Sequence, residues 1–298
     1  MVYHYTTINN LCSILAAYKE SEDKKYFTFW ASNVLEQNDS EEMSLDYKNL
    51  HKIIVDIEKE KEENGDNLRC KLSNFSKFAF LNSQDQEEVE NELNKYTKDK
   101  ESTPYTMSFS RQEDSLLMWS IYANKGDGLC LVFDEKEFHN LKTNMLFIND
   151  DVRYGKPDEY TKELLRIHYD DFLKRICEQD PIIINSIFYQ GKIAYKVILE
   201  FIPPFIKKEA FQGEREWRIA FFRNKETKVY TRFTNSLNTI HYVKVGLPVS
   251  ALKNIVIGPC AKDDKVKELL VTEMLDSNIP QATKLDFFLK SKVPLRIL

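Results

Sequence analysis

The sequence predicts an α+β fold, built as one domain over residues 1–298 with a helical elaboration. Apolar and polar residues alternate in many short segments, as they do in half-buried strands, and helical patterns separate these segments. Between about residues 44 and 100 the pattern is helical and heavily charged, which predicts a peripheral insertion or lid. No internal repeat, Gly/Ser linker or low-complexity block marks a second domain.

The chain opens with a predicted strand over residues 2–5 and a helix over about residues 8–17. Thr6 or Thr7 can cap this helix, because a threonine hydroxyl accepts a bond from a first-turn amide. A second strand is predicted over residues 27–31. A polar turn follows it, in which Asp39 or Ser40 is suited to capping the next helix.

The predicted insertion contains an apolar stripe and a run of charges. Leu50, Ile53, Ile54 and Ile57 recur at helical spacing and predict one buried face. The charged run 58–63 that follows them predicts a solvated face of the same helix.

The remaining two thirds of the chain supply most of the predicted sheet. Strands are predicted over residues 105–110, 129–133, 144–154, 228–233, 241–246, 255–258 and 285–289, and residues 212–222 are predicted to be a loop that runs into a buried strand. Helices are predicted over residues 115–123, 158–178, 181–203 and 263–275.

Composition excludes several classes of protein. The formal net charge of −5 gives no general attraction to nucleic acid, although a local basic groove stays open. The five cysteines occur singly, which argues against both a disulfide framework and a zinc site and favours a reducing compartment. Neither a secretory signal nor a membrane-spanning segment is visible, so we expect a cytoplasmic protein without a membrane partner.

Common catalytic and nucleotide-binding motifs are missing from the sequence. It has no GxxxxGK[ST] loop, no GxSxG elbow and no HExxH, and its five histidines do not pair at metal-ligand spacing, so no metal site is predicted. Gly126 and Gly128 form GxG after a helix and without a third glycine, which excludes a dinucleotide fingerprint.

The segment from Gln212 to Phe222 combines charge with a buried strand pattern. A strand has a side-chain period of two, so Glu214, Glu216 and Arg218 are predicted to share one face. Buried charges are costly unless they are paired, and such conflicts concentrate at functional sites. The alternative is a structural ion pair between Glu216 and Arg218 or a neighbouring lysine.

Three segments place polar residues in strand-like surroundings: residues 3–7 with His4, residues 108–111 with Ser108 and Ser110, and residues 214–216. Such a set suits a reaction at the anomeric carbon of a sugar. Hydroxyls and a donor hold the substrate, while a carboxylate grips ribose hydroxyls and stabilises an oxocarbenium-like centre. A second carboxylate can act as a base toward the acceptor.

The sequence resembles the bacterial family called domain of unknown function 2971. The matching features are Tyr3-His4-Tyr5-Thr6-Thr7, Trp30-Ala31-Ser32 with Asn38-Asp39-Ser40-Glu41, Ser108-Phe109-Ser110 with Asp114, Met118-Trp119-Ser120, Tyr122-Ala123, Gly128-Leu129-Cys130-Leu131, Glu214, Glu216-Trp217-Arg218, Ile257-Gly258-Pro259, and Ser291 with Pro294 and Arg296. The family commonly has proline where this chain has Ser40.

The resemblance implies a fold and an activity. The family looks distantly related to ADP-ribosyltransferases, which implies a split β-sheet core and NAD as substrate. It also implies a role as a bacterial toxin or anti-phage defence effector, with a protein or nucleic-acid acceptor and an antitoxin or defence-system partner. NAD hydrolysis alone is a related outcome.

The resemblance also implies roles for individual residues. Glu216 would hold the nicotinamide ribose, and Glu214 would lie on the acceptor side. The residues expected to bind NAD are His4, Tyr5, Thr6, Ser108, Ser110, Arg111, Trp119 and Tyr122. Arg111 would hold the diphosphate, whereas Arg218 is expected to be structural. The three tryptophans, Trp30, Trp119 and Trp217, are expected in the core, although any of them can line the pocket.

Two other classes of function stay open. A metal-dependent nuclease would gather Asp39, Glu41, Glu214 and Glu216 around magnesium. A non-catalytic module would bind a nucleotide or another protein without turnover. Asp39 and Glu41 are in any case expected near the central cleft.

Overall fold

The computed structural model describes residues 1–37, 50–68, 71–73, 103–177, 201–233, 239–277, 279, 282 and 286–294. The predicted positions of Asp39 and Glu41, most of the 44–100 insertion, the 181–203 helix apart from its last three residues, and Arg296 lie outside them.

The chain divides into two compact units, each made of several segments. The first comprises Met1–Ser32, Thr106–Asp151 and Phe211–Leu298, and the second comprises Asn33–Tyr105 and Val152–Ala210. A mixed α+β fold with a large, mostly antiparallel sheet is confirmed. One domain over residues 1–298 stays a prediction.

The first unit is built around a ten-stranded sheet. Its strands are β1 (Val2–Thr6), β2 (Tyr26–Asn33), β3 (Tyr105–Ser110), β4 (Leu129–Phe133), β5 (Leu146–Asp151), β8 (Glu216–Phe222), β9 (Tyr230–Phe233), β10 (Thr239–Pro248), β11 (Leu252–Ile257) and β12 (Phe288–Lys290). Its helices are α1 (Ile8–Glu20), α3 (Leu116–Tyr122) and α5 (Asp263–Asp276).

The strand order is β12-β11-β4-β1-β3-β2-β10-β9, and β8 joins it through β3 and pairs with β5 on its other side. Only β11 and β12 run parallel among the registers of this sheet, as expected for two strands joined through a helix. The sheet therefore branches at β3, which pairs with β1, β2 and β8.

Aromatic rings fill the core on one side of the sheet. Phe109 lies at the centre, with its ring centroid within 5.8 Å of those of Phe133, Phe138 and Trp217. These side chains are at most 3% exposed, so they supply much of the hydrophobic stabilisation of this unit.

Three glycines allow backbone segments to meet behind β4. A Cβ on Gly128 would lie 2.5 Å from the carbonyl oxygen of Thr6, and one on Gly258 would collide with the carbonyl of Gly126. The amide of Gly258 donates to the carbonyl of Gly128 across this contact at 2.9 Å. The GxG sequence thus serves close backbone packing.

The second unit contains α2 (Leu50–Glu63), α4 (Pro157–Cys177) and a two-stranded parallel sheet of β6 (Arg153–Tyr154) and β7 (Ile206–Lys207). Ile53, Ile54 and Ile57 are buried, as the stripe predicts. The prediction of a wholly solvated 58–63 run is wrong at Glu58, which is 3% exposed. Its carboxylate accepts bonds from the Tyr169 hydroxyl at 2.7 Å and the Ser73 amide at 2.8 Å.

Candidate functional site

Strand alternation places several of the expected site residues on one face of the sheet. Tyr3 of β1 pairs with Ser110 of β3, so Tyr5, two residues further on, shares the face of Ser110 and of Ser108. Helix α3 packs on this face, where the Tyr5 and Trp119 ring centroids are 4.9 Å apart in an edge-on arrangement.

Glu216 begins β8 and Glu214 ends the 3-10 helix just before it, and both are buried, with exposures of 5% and 6%. The Tyr122 hydroxyl at the end of α3 donates to Glu214 Oε1 at 2.7 Å. Arg218 donates to both oxygens of Glu216, through Nε at 2.5 Å and Nη2 at 3.0 Å. The ion pair that the sequence offered as an alternative therefore exists, and it is bidentate.

A third carboxylate belongs to the same neighbourhood. Asp150 of β5 is the direct cross-strand partner of Arg218 in β8, so the two side chains emerge on the same face. Asp150 was not predicted as a site residue, because only the β5–β8 register brings it next to Arg218. The sequence showed two consecutive aspartates at the end of a strand pattern but did not show their partner strand.

The electrostatics of Tyr122 connect these groups. Burial raises the pKa of the Tyr122 phenol, and the bond to Glu214 and the charges of Glu214 and Glu216 raise it further, while Arg218 opposes them. Tyr122, Asp150, Glu214, Glu216 and Arg218 are hereafter the carboxylate cluster. Carboxylates that Arg218 and Tyr122 already hold in place can stabilise a cationic ligand or a developing positive charge.

The turn before β8 is held by two contacts from the end of β3. The Ser110 hydroxyl donates to the carbonyl of Glu214 at 2.7 Å, and the amide of Arg111 donates to the carbonyl of Arg215 at 2.7 Å. Arg215 has a φ of 42°, a left-handed conformation that costs free energy in a residue with a Cβ. Ser110 therefore positions the two carboxylates indirectly, by binding the backbone of the turn that contains Glu214.

Tyr5 and Trp119 are tied into the same region by hydrogen bonds. The Tyr5 hydroxyl donates to the carbonyl of Gln112 and accepts from the amide of Ser115, both at 2.9 Å. Burial raises the pKa of Tyr5. Trp119 is fully buried and donates through Nε1 to Asp114 Oδ1 at 2.7 Å.

Asp114 also binds the C-terminal segment. The Ser291 hydroxyl donates to Oδ1 at 2.5 Å, and the amide of Lys292 donates to Oδ2 at 2.7 Å. One carboxylate, just before α3, therefore binds the segment that directly follows β12.

His4 lies on the other face of β1 from Tyr5, because neighbouring residues of a strand alternate. Its ring packs within 5.7 Å of the rings of Phe29 and Phe109, centroid to centroid, and Nδ1 donates to the carbonyl of Ser108 at 3.2 Å. Burial lowers the pKa of His4, while the bond to Ser108 opposes the shift. Thr6 is buried on the His4 side, where its hydroxyl accepts from Asn10 Nδ2 at 3.1 Å.

Arg111 is occupied by carboxylates and lies over an aromatic ring. It donates through Nε to Asp151 at 2.6 Å and through Nη1 to Glu135 at 2.5 Å, and its guanidinium carbon is 5.6 Å from the Trp217 ring centroid. A diphosphate would have to displace these carboxylates. The structure thus gathers Tyr5, Ser108, Ser110, Trp119, Tyr122, Glu214 and Glu216 on one side and leaves His4, Thr6 and Arg111 on the other.

Among the three tryptophans, Trp119 and Trp217 are buried, as expected. The expectation is wrong for Trp30, which is 46% exposed because it points to the open side of β2.

Within the described residues, no group of three His, Cys, Asp or Glu side chains has the arrangement of a metal site. No helix in the described ranges is both long and apolar enough to cross a membrane.

A family model described as a protein of unknown function, DUF2971, matches residues 118–219. The resemblance predicted from the sequence is therefore confirmed over this segment, which contains every member of the carboxylate cluster. No curated protein and no solved structure matches the chain.

Proposed function

We propose that this chain transfers ADP-ribose from NAD to an acceptor, with NAD hydrolysis as the outcome when water is the acceptor. The observation that supports the proposal most is the carboxylate cluster. Its negative charges are fixed at the start of β8 by a buried guanidinium and a phenol, in the segment that matches the family model.

The chemistry that this cluster suits is departure of a neutral leaving group from a sugar. When the bond between ribose C1′ and the nicotinamide nitrogen breaks, the nitrogen keeps the electron pair and positive charge develops at C1′. A carboxylate that is already held in place stabilises this charge without reorganising. In the proposal Glu216 has this role, because two bonds from Arg218 fix its orientation.

Glu214 supplies the second function in the proposal. Its side chain is anchored at one oxygen by Tyr122, a residue that is 36% exposed and therefore lies where the cluster meets solvent. An acceptor that attacks C1′ must lose a proton, and a carboxylate at this position is suited to take it. Tyr5, Ser108, Ser110 and Trp119 line or support the same face of the sheet.

We extend the proposal to the fold and the partners. The core would be an ADP-ribosyltransferase-like split sheet, an idea supported by the branching of the strands at β3. The acceptor would be a protein or a nucleic acid, and the biological role that of a toxin or defence effector in the cytoplasm. His4, Thr6 and Arg111 would contact NAD only if the substrate reaches around the end of β1 and β3.

The test is nicotinamide release from labelled NAD, with and without EDTA. We expect EDTA-resistant release by the wild type and a fall of about 100-fold or more in Glu216→Gln, since the amide keeps the shape and loses the charge. Glu214→Gln should retain more hydrolysis than transfer. Glu226→Gln, at an exposed position after β8, is the matched control and should keep full activity.

Melting temperatures of the same variants separate catalysis from folding. Loss of activity in Glu216→Gln, measured well below the melting temperature of that variant so that it is folded, supports the proposal. Equal activity in the wild type and Glu216→Gln would refute it, and EDTA-sensitive cutting of nucleic acid would replace it with a metal-dependent nuclease. Binding of NAD without turnover would indicate a non-catalytic module.

A further inference from the structure

A second feature of the first unit lies on strands β2, β10 and β9, apart from the carboxylate cluster. Trp30, Tyr242 and Tyr230 come from these three strands in turn and stack on one another. The Trp30 and Tyr242 ring centroids are 4.5 Å apart, and those of Tyr242 and Tyr230 are 5.5 Å apart, with interplanar angles of 29° and 22°.

Cations surround the stack. Lys244 and Lys228 place Nζ 4.5 Å and 5.1 Å from the Tyr230 ring centroid, and the guanidinium carbon of Arg232 is 5.8 Å from that of Trp30. Within the described part of the chain, none of these three cations pairs with a carboxylate. Trp30, Tyr230, Tyr242, Lys228, Arg232 and Lys244 are hereafter the aromatic–basic face.

The strand registers show that this face is continuous. Lys244 is the partner of Trp30, and Tyr242 is the partner of both Ser32 and Tyr230, so these side chains emerge on the same side of the sheet. The positions of β2, β9 and β10 that share this side carry no Asp or Glu. A local positive charge therefore stands in a chain whose formal net charge is −5.

We propose that the aromatic–basic face binds single-stranded nucleic acid. Trp30 remains 46% exposed although Tyr242 stacks on it, so a large ring area is open to a base. Stacking on aromatic side chains and phosphate contacts with Lys and Arg are the two interactions by which open sheet surfaces bind single strands. An acidic peptide would match the cations but would leave the exposed indole unused.

This binding is independent of the proposed transfer reaction, because it uses none of the residues of the carboxylate cluster and needs no NAD. The two inferences can therefore fail separately. An oligonucleotide-binding assay in the absence of NAD tests the aromatic–basic face alone.

The experiment measures fluorescence anisotropy of labelled oligo(dT) and oligo(U) of about 12 nucleotides, long enough for one sheet surface, with the full chain. Salt is varied upward from about 50 mM. We expect the logarithm of the affinity to fall with the logarithm of salt with a slope of about −2, because three cations each release about 0.7 counterion from a single strand. Lys244→Gln should reduce this slope by about 0.7.

Substitutions at the rings separate stacking from charge. Trp30→Ala should weaken binding by about tenfold or more, whereas Trp30→Phe keeps a stacking ring and should stay within about threefold of the wild type. Phe233→Ala is the matched control, since Phe233 is a 74% exposed aromatic residue of β9 that points to the opposite side from Arg232. It should leave the affinity unchanged.

Three results would overturn the proposal. The first is no anisotropy change at low salt, and the second is wild-type affinity in Trp30→Ala. The third is equal or tighter binding of a blunt duplex or of anionic lipid vesicles. A duplex keeps its bases stacked on one another and a vesicle has no bases, so neither can stack a base on Trp30. Circular dichroism of each variant confirms that the sheet is intact before affinities are compared.

Discussion

Replacing Arg218 by Met tests whether the carboxylate cluster depends on its single guanidinium. Arg218 is fully buried and Glu216 is 5% exposed, so neither group can recover hydration when its partner is removed. Removing one member of a buried ion pair typically costs about 3–5 kcal/mol, because a buried charge is left uncompensated. Asp150, the cross-strand neighbour of Arg218, would lose a nearby positive charge as well. We therefore expect Arg218→Met to lower the free energy of unfolding by about 4 kcal/mol.

Arg111→Met is the matched control. Arg111 also contacts two carboxylates, Asp151 and Glu135, but its side chain is 31% exposed, so water screens the charges that remain. The expected loss is about 1 kcal/mol or less.

Urea denaturation followed by tryptophan fluorescence measures both losses. The double variant Glu216→Gln with Arg218→Met should recover part of the loss, because it leaves no unpaired charge at position 216. Equal losses in Arg218→Met and Arg111→Met would refute the argument that burial decides the cost of these pairs. So would a double variant less stable than Arg218→Met.

Three further predictions concern the surroundings of the cluster. Asp114→Ala removes the acceptor for Trp119, Ser291 and Lys292, and calorimetry should show a loss of about 2–4 kcal/mol, with Asp114→Asn less damaging because the amide oxygen still accepts. The pKa of Tyr122 is raised above its unfolded value of 10.0, so the unfolded chain loses this proton first as the pH rises. The free energy of unfolding should therefore fall above about pH 10. Tyr122→Phe should make that fall smaller in denaturation curves measured between about pH 9 and 11. Gly128→Ala places a methyl group 2.5 Å from the carbonyl oxygen of Thr6 and should lower the free energy of unfolding by about 2 kcal/mol or more. Gly65→Ala is the control: its surroundings are open, so the only expected cost is that of the left-handed φ of 92°.

Local patterns predicted the elements of the sheet well. The strands over residues 105–110 and 129–133 have the predicted bounds, and α1 begins after Thr7, whose hydroxyl accepts from the amide of Asn10. These elements follow from alternation and capping, which are encoded within a few residues.

The pairing of strands that are distant in sequence could not be predicted from local patterns. Asp150 joins the carboxylate cluster only because β5 pairs with β8 in one register, and a shift by one residue would have turned it to the other face. Glu58 looked solvated within its charged run, but Tyr169 of a different helix buries its carboxylate. In both cases the deciding partner lies more than 60 residues away.

Trp30 shows why residue type alone does not decide burial. Its large apolar ring favoured the core, whereas its strand position, between the buried Phe29 and Ala31, directs it outward. The alternation over residues 27–31 therefore predicts an outward-facing side chain at position 30, which residue type alone does not.

The central position of β1 has a consequence for how the chain acquires its structure. β1 is synthesised well before its partners β3 and β4, which end at Ser110 and Phe133. Among the described residues whose strand registers are given above, only β9 and β10 form a hairpin of strands that are close in sequence. Most strand pairs must therefore form by closing long loops, whose entropic cost predicts slow folding. Until its partners arrive, β1 exposes two unpaired edges. A chain of this topology would be most vulnerable to aggregation and proteolysis during synthesis, before α3 and the strand after it are available.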